Sequence, residues 1–325
     1  MTNSSSDRPG EFELIAKLFA PLAADAPGAY GLTDDAATIR VPDGEEVVVT
    51  TDLLSAGIHF RAEDEPGLIA RKAMRVNLSD LSAKGAKPIG YTLALALPRT
   101  WTPAWMTAFA AGLADDQRAF SISLLGGDTT ATDGPLTVSI TAFGTVPAGT
   151  MIRRNGAKPG DLVFVSGTIG DAGAGLAVLQ NNLANISSND RDALVSRYLL
   201  PQPRVALGSA LRGKASAALD VSDGLMADLG HISETSKVRI SIDADRVPLS
   251  ESARNASVPV AAAVVAGDDY EIAFTVPAAR RTEILRLSAD CAITEIGRVE
   301  AGSGVALLDS SGREIPLSKT GYRHF

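Results

Sequence analysis

Strand-like and helix-like patterns of apolar residues alternate along this chain, and this alternation limits the possible folds more than any single motif does. Val47, Val48 and Val49 form a short apolar run typical of a buried strand. From Leu68 to Leu81 the apolar residues instead recur at helical spacing. Strand-like and helix-like segments continue to alternate to about residue 308. The sequence therefore predicts an α/β or α+β protein.

A turn-rich stretch divides this alternation into two series. Residues 154–160 contain Asn, Pro and two glycines, which favour turns over regular structure. A length of 325 residues also suits two domains, at roughly 150 residues for each. We therefore expect an N-terminal domain over residues 1–149 and a C-terminal α/β domain over residues 150–325.

Charge and cysteine content exclude several classes of function. Acidic residues outnumber basic ones by 38 to 30, which weighs against broad binding of nucleic acids or anionic membranes. Cys291 is the single cysteine, so the sequence predicts neither an intrachain disulfide nor a cysteine-based zinc site. The first ten residues lack an apolar signal core and no run of about 20 apolar residues occurs, which predicts a cytoplasmic protein without a membrane span.

The aspartates are the most informative residues, because most of them lie on Gly-bearing loops or near the predicted ends of strands. These positions are Asp35, Asp52, Asp80, Asp128, Asp220, Asp223 and Asp268. Clustered carboxylates repel one another unless cations lie between them, and Mg²⁺ commonly bridges carboxylates to phosphate oxygens. One such aspartate alone is better explained as a turn or cap residue. The six loops that carry them, all in Gly, Ser and Thr contexts, together favour a metal-dependent polyphosphate site.

Short motifs in a fixed order make the chain resemble the thiamine-monophosphate kinases, of the aminoimidazole-ribonucleotide-synthetase-like superfamily. The resemblance extends from Gly10 to Phe325. Each motif alone is weak, but their order is specific. The motifs are Asp34-Asp35-Ala36-Ala37, Thr50-Thr51-Asp52, Gly57-Ile58-His59-Phe60, Val76-Asn77-Leu78-Ser79-Asp80-Leu81, Gly126-Gly127-Asp128-Thr129-Thr130, residues 154–161, Asp220-Val221-Ser222-Asp223-Gly224-Leu225 and Gly267-Asp268-Asp269-Tyr270-Glu271.

The resemblance implies a fold and a reaction. The implied fold has two α/β domains, with the N-terminal sheets of a homodimer paired into a barrel-like interface and ATP near that interface. The implied reaction is direct in-line transfer of a phosphoryl group from ATP to thiamine monophosphate, giving ADP and thiamine diphosphate. No acid or base residue is implied, because the acceptor phosphate oxygen is already an anion and metal charge with positioning supplies the catalysis.

Residue roles follow from the same resemblance. The implied ligands of several Mg²⁺ ions are Asp35, Thr50, Thr51, Asp52, Asp80, Asp128, Asp220 and Asp223. The implied ATP contacts are Gly127, Asp128, Arg154 and Ser222. The implied contacts to thiamine monophosphate are His59, Asp268 and Tyr322. The ring of Tyr322 suits a cationic thiazolium, although an aromatic residue near the chain end equally suits packing on the surface.

Three positions depart from the family pattern. Thr33 and Ala266 each replace a glycine, and Asp268 replaces a longer glutamate. Thr33 would be strained if its backbone needed a positive φ. These departures bear on substrate fit more than on metal binding.

Other functions remain as alternatives within and outside the superfamily. One is an ATP-dependent ligase like aminoimidazole ribonucleotide synthetase, and another is a non-catalytic nucleotide- or metal-binding homologue. Selenophosphate synthetases would carry a reactive cysteine or selenocysteine near the N-terminus, and the hydrogenase maturation factor ends in a cysteine. Cys291 and the terminal Phe325 match neither of these patterns.

Overall fold

The computed structural model describes residues 9–287 and 291–322. The chain divides into two compact units, each built around one sheet. The N-terminal unit comprises Met1–Leu81 and Lys87–Ala148, and the C-terminal unit comprises Ser82–Ala86 and Gly149–Phe325. None of the helices in the described ranges is long and apolar enough to cross a membrane.

A four-stranded mixed sheet forms the centre of the N-terminal unit. Its strand order is β1-β4-β2-β3, with β2 and β3 parallel and the other pairs antiparallel. The strands are β1 (Glu45–Ser55), β2 (Lys87–Pro98), β3 (Ser123–Thr132) and β4 (Thr137–Pro147). The helices are α1 (Glu11–Leu14), α2 (Pro66–Ala83) and α3 (Pro103–Phe120).

The N-terminal segment differs from the single amphipathic helix that its apolar spacing predicts. After α1 the chain forms a π-helical turn, Ile15–Phe19, and then two short 3₁₀ helices, Ala20–Ala23 and Pro27–Leu32. Pro21 has no backbone N–H to continue a regular helix, which accounts for the change at this point. Phe19 is nevertheless buried, as the apolar spacing indicates.

The two long helices of the N-terminal unit are joined by a buried charge cluster. Asp116 on α3 is fully buried and accepts hydrogen bonds from Arg71 Nε at 2.9 Å and Arg75 Nε at 2.7 Å, both on α2. A buried carboxylate needs such partners, because burial without them is costly. The cluster therefore fixes α2, the helix that carries Asp80.

The C-terminal unit contains a six-stranded mixed sheet with the order β10-β7-β9-β5-β8-β6. Only the pair β10 and β7 is parallel among the described strand pairs of this sheet. The strands are β5 (Asp161–Ser166), β6 (Ala217–Asp220), β7 (Arg239–Asp243), β8 (Ile272–Pro277), β9 (Ile293–Glu300) and β10 (Gly304–Leu308).

The helices of this unit vary in length. Those of seven or more residues are α4 (Asp171–Leu179), α5 (Ser188–Leu199), α6 (Val205–Leu211) and α7 (Leu225–Ser236). The shorter ones are α8 (Glu251–Asn255), α9 (Val260–Ala263) and α10 (Arg281–Leu285), with 3₁₀ helices at Ala244–Arg246 and Ala278–Arg280. The mixed α/β class predicted from the sequence is confirmed.

Two predicted element boundaries are wrong. The sequence predicts that a strand ends near Asp52, but β1 continues to Ser55 because its pairing with β4 is unbroken. The sequence also predicts a loop at Gly126–Asp128, whereas these residues lie inside β3. Gly127 is required there, because an added Cβ would lie 1.8 Å from the carbonyl oxygen of Leu93 on β2.

Candidate functional site

Strand β1 and helix α2 bring three of the predicted metal ligands together. Thr50 and Asp52 are two positions apart on β1 and so share one face of the strand. The Thr50 hydroxyl donates a hydrogen bond to Asp80 Oδ2 on α2. Burial, together with the charge of Asp80, raises the pKa of Asp52 to about 7. Two carboxyl groups that resist joint ionisation form a natural place for a cation.

Thr51 lies outside this cluster. Strand periodicity directs its side chain to the opposite face of β1, where it is exposed. Its hydroxyl donates to the carbonyl oxygen of Ile140 at 3.2 Å and accepts from Thr141 Oγ1 at 3.0 Å. The structure therefore does not place the Thr51 side chain with Asp52 and Asp80.

A second group of predicted residues lines a cavity of about 950 Å³ in the N-terminal unit. One part of its wall is apolar and comes from Phe12, Ile15 and Phe19 of the N-terminal segment. Another part contains Asp35, Asp128 and the Gly126–Gly127 backbone, and a Cβ added to Gly126 would meet no atom within 4 Å. The described lining includes three aspartates but neither Lys nor Arg. An anionic ligand here would need accompanying cations.

The two groups in the N-terminal unit lie at opposite edges of its sheet. Strand β1 carries Asp52 and β3 carries Asp128, with β4 and β2 between them. Three strand spacings amount to about 14 Å, so these two aspartates of one chain are too far apart to share an ion. Within residues 9–287 and 291–322, no three His, Cys, Asp or Glu side chains lie close enough to hold a metal ion. Any bound Mg²⁺ would therefore take phosphate and water oxygens as further ligands.

His59 follows β1 in the N-terminal unit, and its orientation is fixed by the backbone. Its ring Nδ1 accepts a hydrogen bond from the backbone N–H of Ser55 at 3.1 Å. A nitrogen that accepts cannot also carry the proton, so neutral His59 has its N–H at Nε2. In the neutral ring, Nε2 is therefore the hydrogen-bond donor.

In the C-terminal unit, Asp220 ends β6 and Ser222 and Asp223 form the turn that follows. Asp228 on α7 fixes this turn, because its Oδ2 accepts from the backbone N–H groups of Ser222, Asp223 and Gly224 at 3.0, 3.0 and 3.1 Å. Burial and the nearby charge of Asp223 raise the pKa of Asp228 to about 7. Asp228 is absent from the residues that the sequence predicts for the site, although an acidic residue in the first turn of a helix is a recognisable signal of a helix N-terminus.

Two other segments attach to the same turn. The backbone N–H of Asp268 donates to the carbonyl oxygen of Ser222 at 2.8 Å, and that of Tyr322 donates to the carbonyl oxygen of Asp223 at 2.9 Å. Gly321 allows the second contact, since a Cβ there would lie 2.6 Å from the same oxygen of Asp223. The C-terminal unit therefore brings together residues predicted for ATP and metal, Ser222 and Asp223, with two predicted for the acceptor substrate, Asp268 and Tyr322.

The neighbouring aspartates Asp268 and Asp269 have different surroundings. Asp269 is buried and accepts from the backbone N–H groups of Gly170 at 2.7 Å and Ala172 at 3.3 Å, at the start of α4. Burial raises the pKa of Asp269 well above its usual value. Asp268 is only partly buried. Of the two, Asp268 is therefore the more accessible to solvent.

Arg154, a predicted ATP contact, and Thr33, a departure from the family pattern, each have a clear local explanation. The backbone carbonyl of Arg154 accepts from Thr235 Oγ1 at 3.2 Å and Ser236 Oγ at 3.1 Å, while the residue itself is exposed. Thr33 has φ −108°, so it avoids the strain that a left-handed backbone would impose. The left-handed residues are instead its neighbours Tyr30 and Leu32, at φ 50° and 58°.

Comparison with known protein families agrees with the two-unit organisation. The model of the AIR synthase related protein N-terminal domain matches residues 33–146, and that of the corresponding C-terminal domain matches residues 158–310. Together the two matches cover most of the chain. They define a two-domain protein of the AIR synthase related class.

Full-length relatives narrow this class. A thiamine-monophosphate kinase of Caulobacter vibrioides is 42% identical over 97% of this chain and 91% of its own length. The crystal structure of thiamine-monophosphate kinase from Stenotrophomonas maltophilia is 42% identical, with a TM-score of 0.80 over 87% of this chain and 91% of that one. The chain belongs to the thiamine-monophosphate kinase family.

A ligand-bound structure is similar over a still longer span. AaThiL complexed with AMPPCP and TMP is 31% identical to this chain, with a TM-score of 0.78. The alignment covers 99% of this chain and all of that one. The whole two-unit architecture is therefore shared with a protein that holds both of these ligands.

Proposed function

We propose that this chain transfers the γ-phosphoryl group of ATP to thiamine monophosphate. Membership of the family and full-length similarity to AaThiL with AMPPCP and TMP support this activity. One observation carries the proposal: the backbones of Asp268 and Tyr322 are both hydrogen-bonded to the Ser222–Asp223 turn of the C-terminal unit. Residues that we assign to the phosphoryl donor and to the acceptor are thereby held in one framework.

The transfer forms one bond and breaks another at the γ-phosphorus. A phosphate oxygen of thiamine monophosphate attacks this phosphorus, and the bond to the bridging oxygen of ADP breaks. Because the attacking oxygen is already anionic, no side chain has to remove a proton. The protein's main contribution is to bring two anionic groups into line.

The residues near Asp52 suit a divalent cation. Among the described residues, neither Asp52 nor Asp80 forms an ion pair with Lys or Arg, and the Thr50 hydroxyl oxygen lies beside them. Carboxylate and hydroxyl oxygens are the ligands that Mg²⁺ prefers. We assign Asp52, Asp80 and Thr50 to one Mg²⁺ position, and Asp35 and Asp128 to the cavity. When bound, Mg²⁺ would neutralise the charge of the transferring phosphoryl group.

The cavity suits the nucleotide because its wall combines two kinds of surface. Apolar side chains at Phe12, Ile15 and Phe19 suit a nucleobase, and the open backbone at Gly126 suits close approach of a phosphate. Asp35 and Asp128 would face the metal that accompanies the phosphates.

Filling the cavity should weaken ATP binding. Ala16 is exposed and lines the cavity, so Ala16→Trp adds bulk without disturbing the core. We expect the KM for ATP to rise about tenfold, equivalent to about 1.4 kcal/mol of binding, with the KM for thiamine monophosphate nearly unchanged. The matched control is Ala24→Trp, an exposed alanine of the same segment outside the described lining. Equal KM values for ATP in both variants would show that ATP does not bind in this cavity.

The reaction itself is tested with purified protein, ATP, Mg²⁺ and thiamine monophosphate. We expect thiamine diphosphate and ADP to form in equal amounts, and no thiamine diphosphate when Mg²⁺ is chelated. Turnover with formylglycinamidine ribonucleotide but not with thiamine monophosphate would favour the ligase alternative. Nucleotide binding without turnover on either substrate would favour a non-catalytic homologue.

We also propose that two copies associate through β1. This strand is an edge of its sheet, and its exposed face carries Val47, Val49 and Leu53 at 43, 59 and 62% exposure. A long apolar edge strand is a pairing surface unless something covers it. Light scattering should give the mass of a dimer, whereas a monomer mass at micromolar concentration would contradict this proposal.

A further inference from the structure

The loop that carries Asp268 has an unusual backbone. Asp268 has φ 71° and Tyr270 has φ 51°, and both lie in the left-handed region that favours glycine. Residues in this conformation persist where the surrounding structure holds them there. The backbone N–H groups of both residues are engaged, that of Asp268 by Ser222 and that of Tyr270 by the carbonyl oxygen of Val221 at 2.7 Å.

Glu271 follows this loop directly, and its side chain is fully buried. Its Oε1 accepts from Arg197 Nη2 at 2.7 Å. Its Oε2 accepts from Arg204 Nε at 2.7 Å and from Ser166 Oγ at 2.6 Å. Arg204 also donates through Nη2, which makes its contact bidentate. One carboxylate is thus held by two guanidinium groups and a hydroxyl.

This clamp, formed by Glu271, Arg197 and Arg204, is tied to the surrounding backbone at two points. Arg197 Nη2 also donates to the carbonyl oxygen of Asp269 at 3.3 Å. The carbonyl oxygen of Glu271 accepts from the backbone N–H of Val221 at 2.8 Å. Gly167 makes room for the carboxylate, since a Cβ there would lie 2.1 Å from Glu271 Oε1.

We infer that Glu271 is a positioning residue for the acceptor substrate. It does not touch the substrate; with Arg197 and Arg204 it keeps Asp268 and Tyr270 left-handed and so directs the Asp268 carboxylate to its ligand. The identity of that ligand, thiamine monophosphate, rests on the proposed function. The hold of Glu271 on the loop rests on the contacts above alone.

Glu271→Gln tests the inference, because it keeps the size of the side chain and removes its charge. The amide cannot satisfy both guanidinium groups, so the loop should lose its fixed conformation. We expect the KM for thiamine monophosphate to rise about tenfold while the KM for ATP stays within about twofold, the pattern of lost substrate binding. Asp268→Ala should give the same pattern, since both variants remove the same contact.

The matched control is Asp116→Asn in the N-terminal unit. Asp116 is also fully buried and is also held by two arginines, Arg71 and Arg75. Asp116→Asn should lower the melting temperature without changing the KM for thiamine monophosphate. If Glu271→Gln does not fold, Arg197→Gln is used instead. Arg197 is partly exposed, and its substitution removes only one of the two arginines that bind Glu271.

A second-site change separates positioning from general damage. Tyr270→Gly placed on Glu271→Gln should lower the KM for thiamine monophosphate again, because glycine adopts a φ of 51° without strain. Hydrogen exchange at the amides of Asp268 and Tyr270 should be faster in Glu271→Gln than in the wild type, with no substrate present.

The outcomes separate the inference from the proposed function. A wild-type protein that does not turn over thiamine monophosphate contradicts the proposed function, and the exchange rates then decide the role of Glu271 alone. If the wild type is active, an unchanged KM for thiamine monophosphate in Glu271→Gln overturns the inference. An equal rise in both KM values, or unchanged exchange at Asp268 and Tyr270, overturns it as well.

Discussion

Asp80→Asn should abolish nearly all phosphoryl transfer while the melting temperature of the ligand-free protein changes little. An asparagine oxygen can still accept the hydrogen bond from the Thr50 hydroxyl, so the local structure should persist. The lost charge, by contrast, is one that a Mg²⁺ between Asp80 and Asp52 would require. We expect kcat to fall about 10³-fold, the effect of removing one electrostatic group from other active sites.

The control for this variant is Asp115→Asn on α3. Asp115 is an exposed carboxylate that pairs only with Arg118 among the described ion pairs, so its loss should leave kcat unchanged. Steady-state kinetics and thermal melting of both variants decide the matter. An Asp80→Asn protein that stays active but melts much earlier would make Asp80 a structural residue.

Strand periodicity explains which of the predicted metal ligands on β1 lie together. Thr50 and Asp52 lie on one face of β1 because strand side chains alternate, and the same alternation places Thr51 on the other face. The alternation of side chains along a strand is therefore enough to predict that Thr51 lies away from Thr50 and Asp52. The family is confirmed by full-length relatives, whereas the roles of the individual residues stay predictions.

Local patterns fail where a contact depends on distant parts of the chain. Glu271 lies 74 residues from Arg197 and 67 from Arg204, and nothing in its neighbours along the sequence indicates two arginine partners. Gly126–Asp128 was predicted as a loop because Gly-Gly-Asp favours turns. The close approach of Gly127 to Leu93 on the parallel neighbour β2 makes it a strand instead.

Asp228 shows the same limit in another way. Its position four residues after Gly224 predicts a local helix cap, but its effect is on the turn that carries Ser222 and Asp223. The sequence around Asp228 predicts the helix cap. It does not indicate that the same turn also binds the backbones of Asp268 and Tyr322. That connection exists only once β6, β8 and the C-terminal segment are assembled.

Asp52→Asn should stabilise the metal-free protein above pH 7 and at the same time remove its activity. The pKa of Asp52 rises from 3.8 to about 7 on folding, through burial and the charge of Asp80. Between these two values the unfolded chain releases a proton that the folded chain retains. Folding stability from this group is therefore complete below pH 3.8, falls as the pH rises to about 7, and stays low above that.

An asparagine at position 52 cannot ionise, so the variant does not lose folding stability from this group as the pH rises. Since one pKa unit corresponds to about 1.4 kcal/mol, the difference in unfolding free energy should grow to a few kcal/mol between pH 4 and pH 7. Asp228, whose pKa is also raised to about 7, is present in both proteins and cancels from the comparison. Thermal melts in chelator at pH 4, 7 and 8 measure the difference directly.

Mg²⁺ should narrow this difference in stability. A bound cation favours the ionised form of Asp52, so it should raise the melting temperature of the wild type at pH 8 more than that of the variant. The variant should in turn lose about 10² to 10³-fold in kcat, because the carboxylate that weakens the empty fold is the one the metal needs. A variant that melts below the wild type at pH 8 in chelator would show that folding favours the ionised carboxyl group, and the cation position at Asp52 would lose its physical basis.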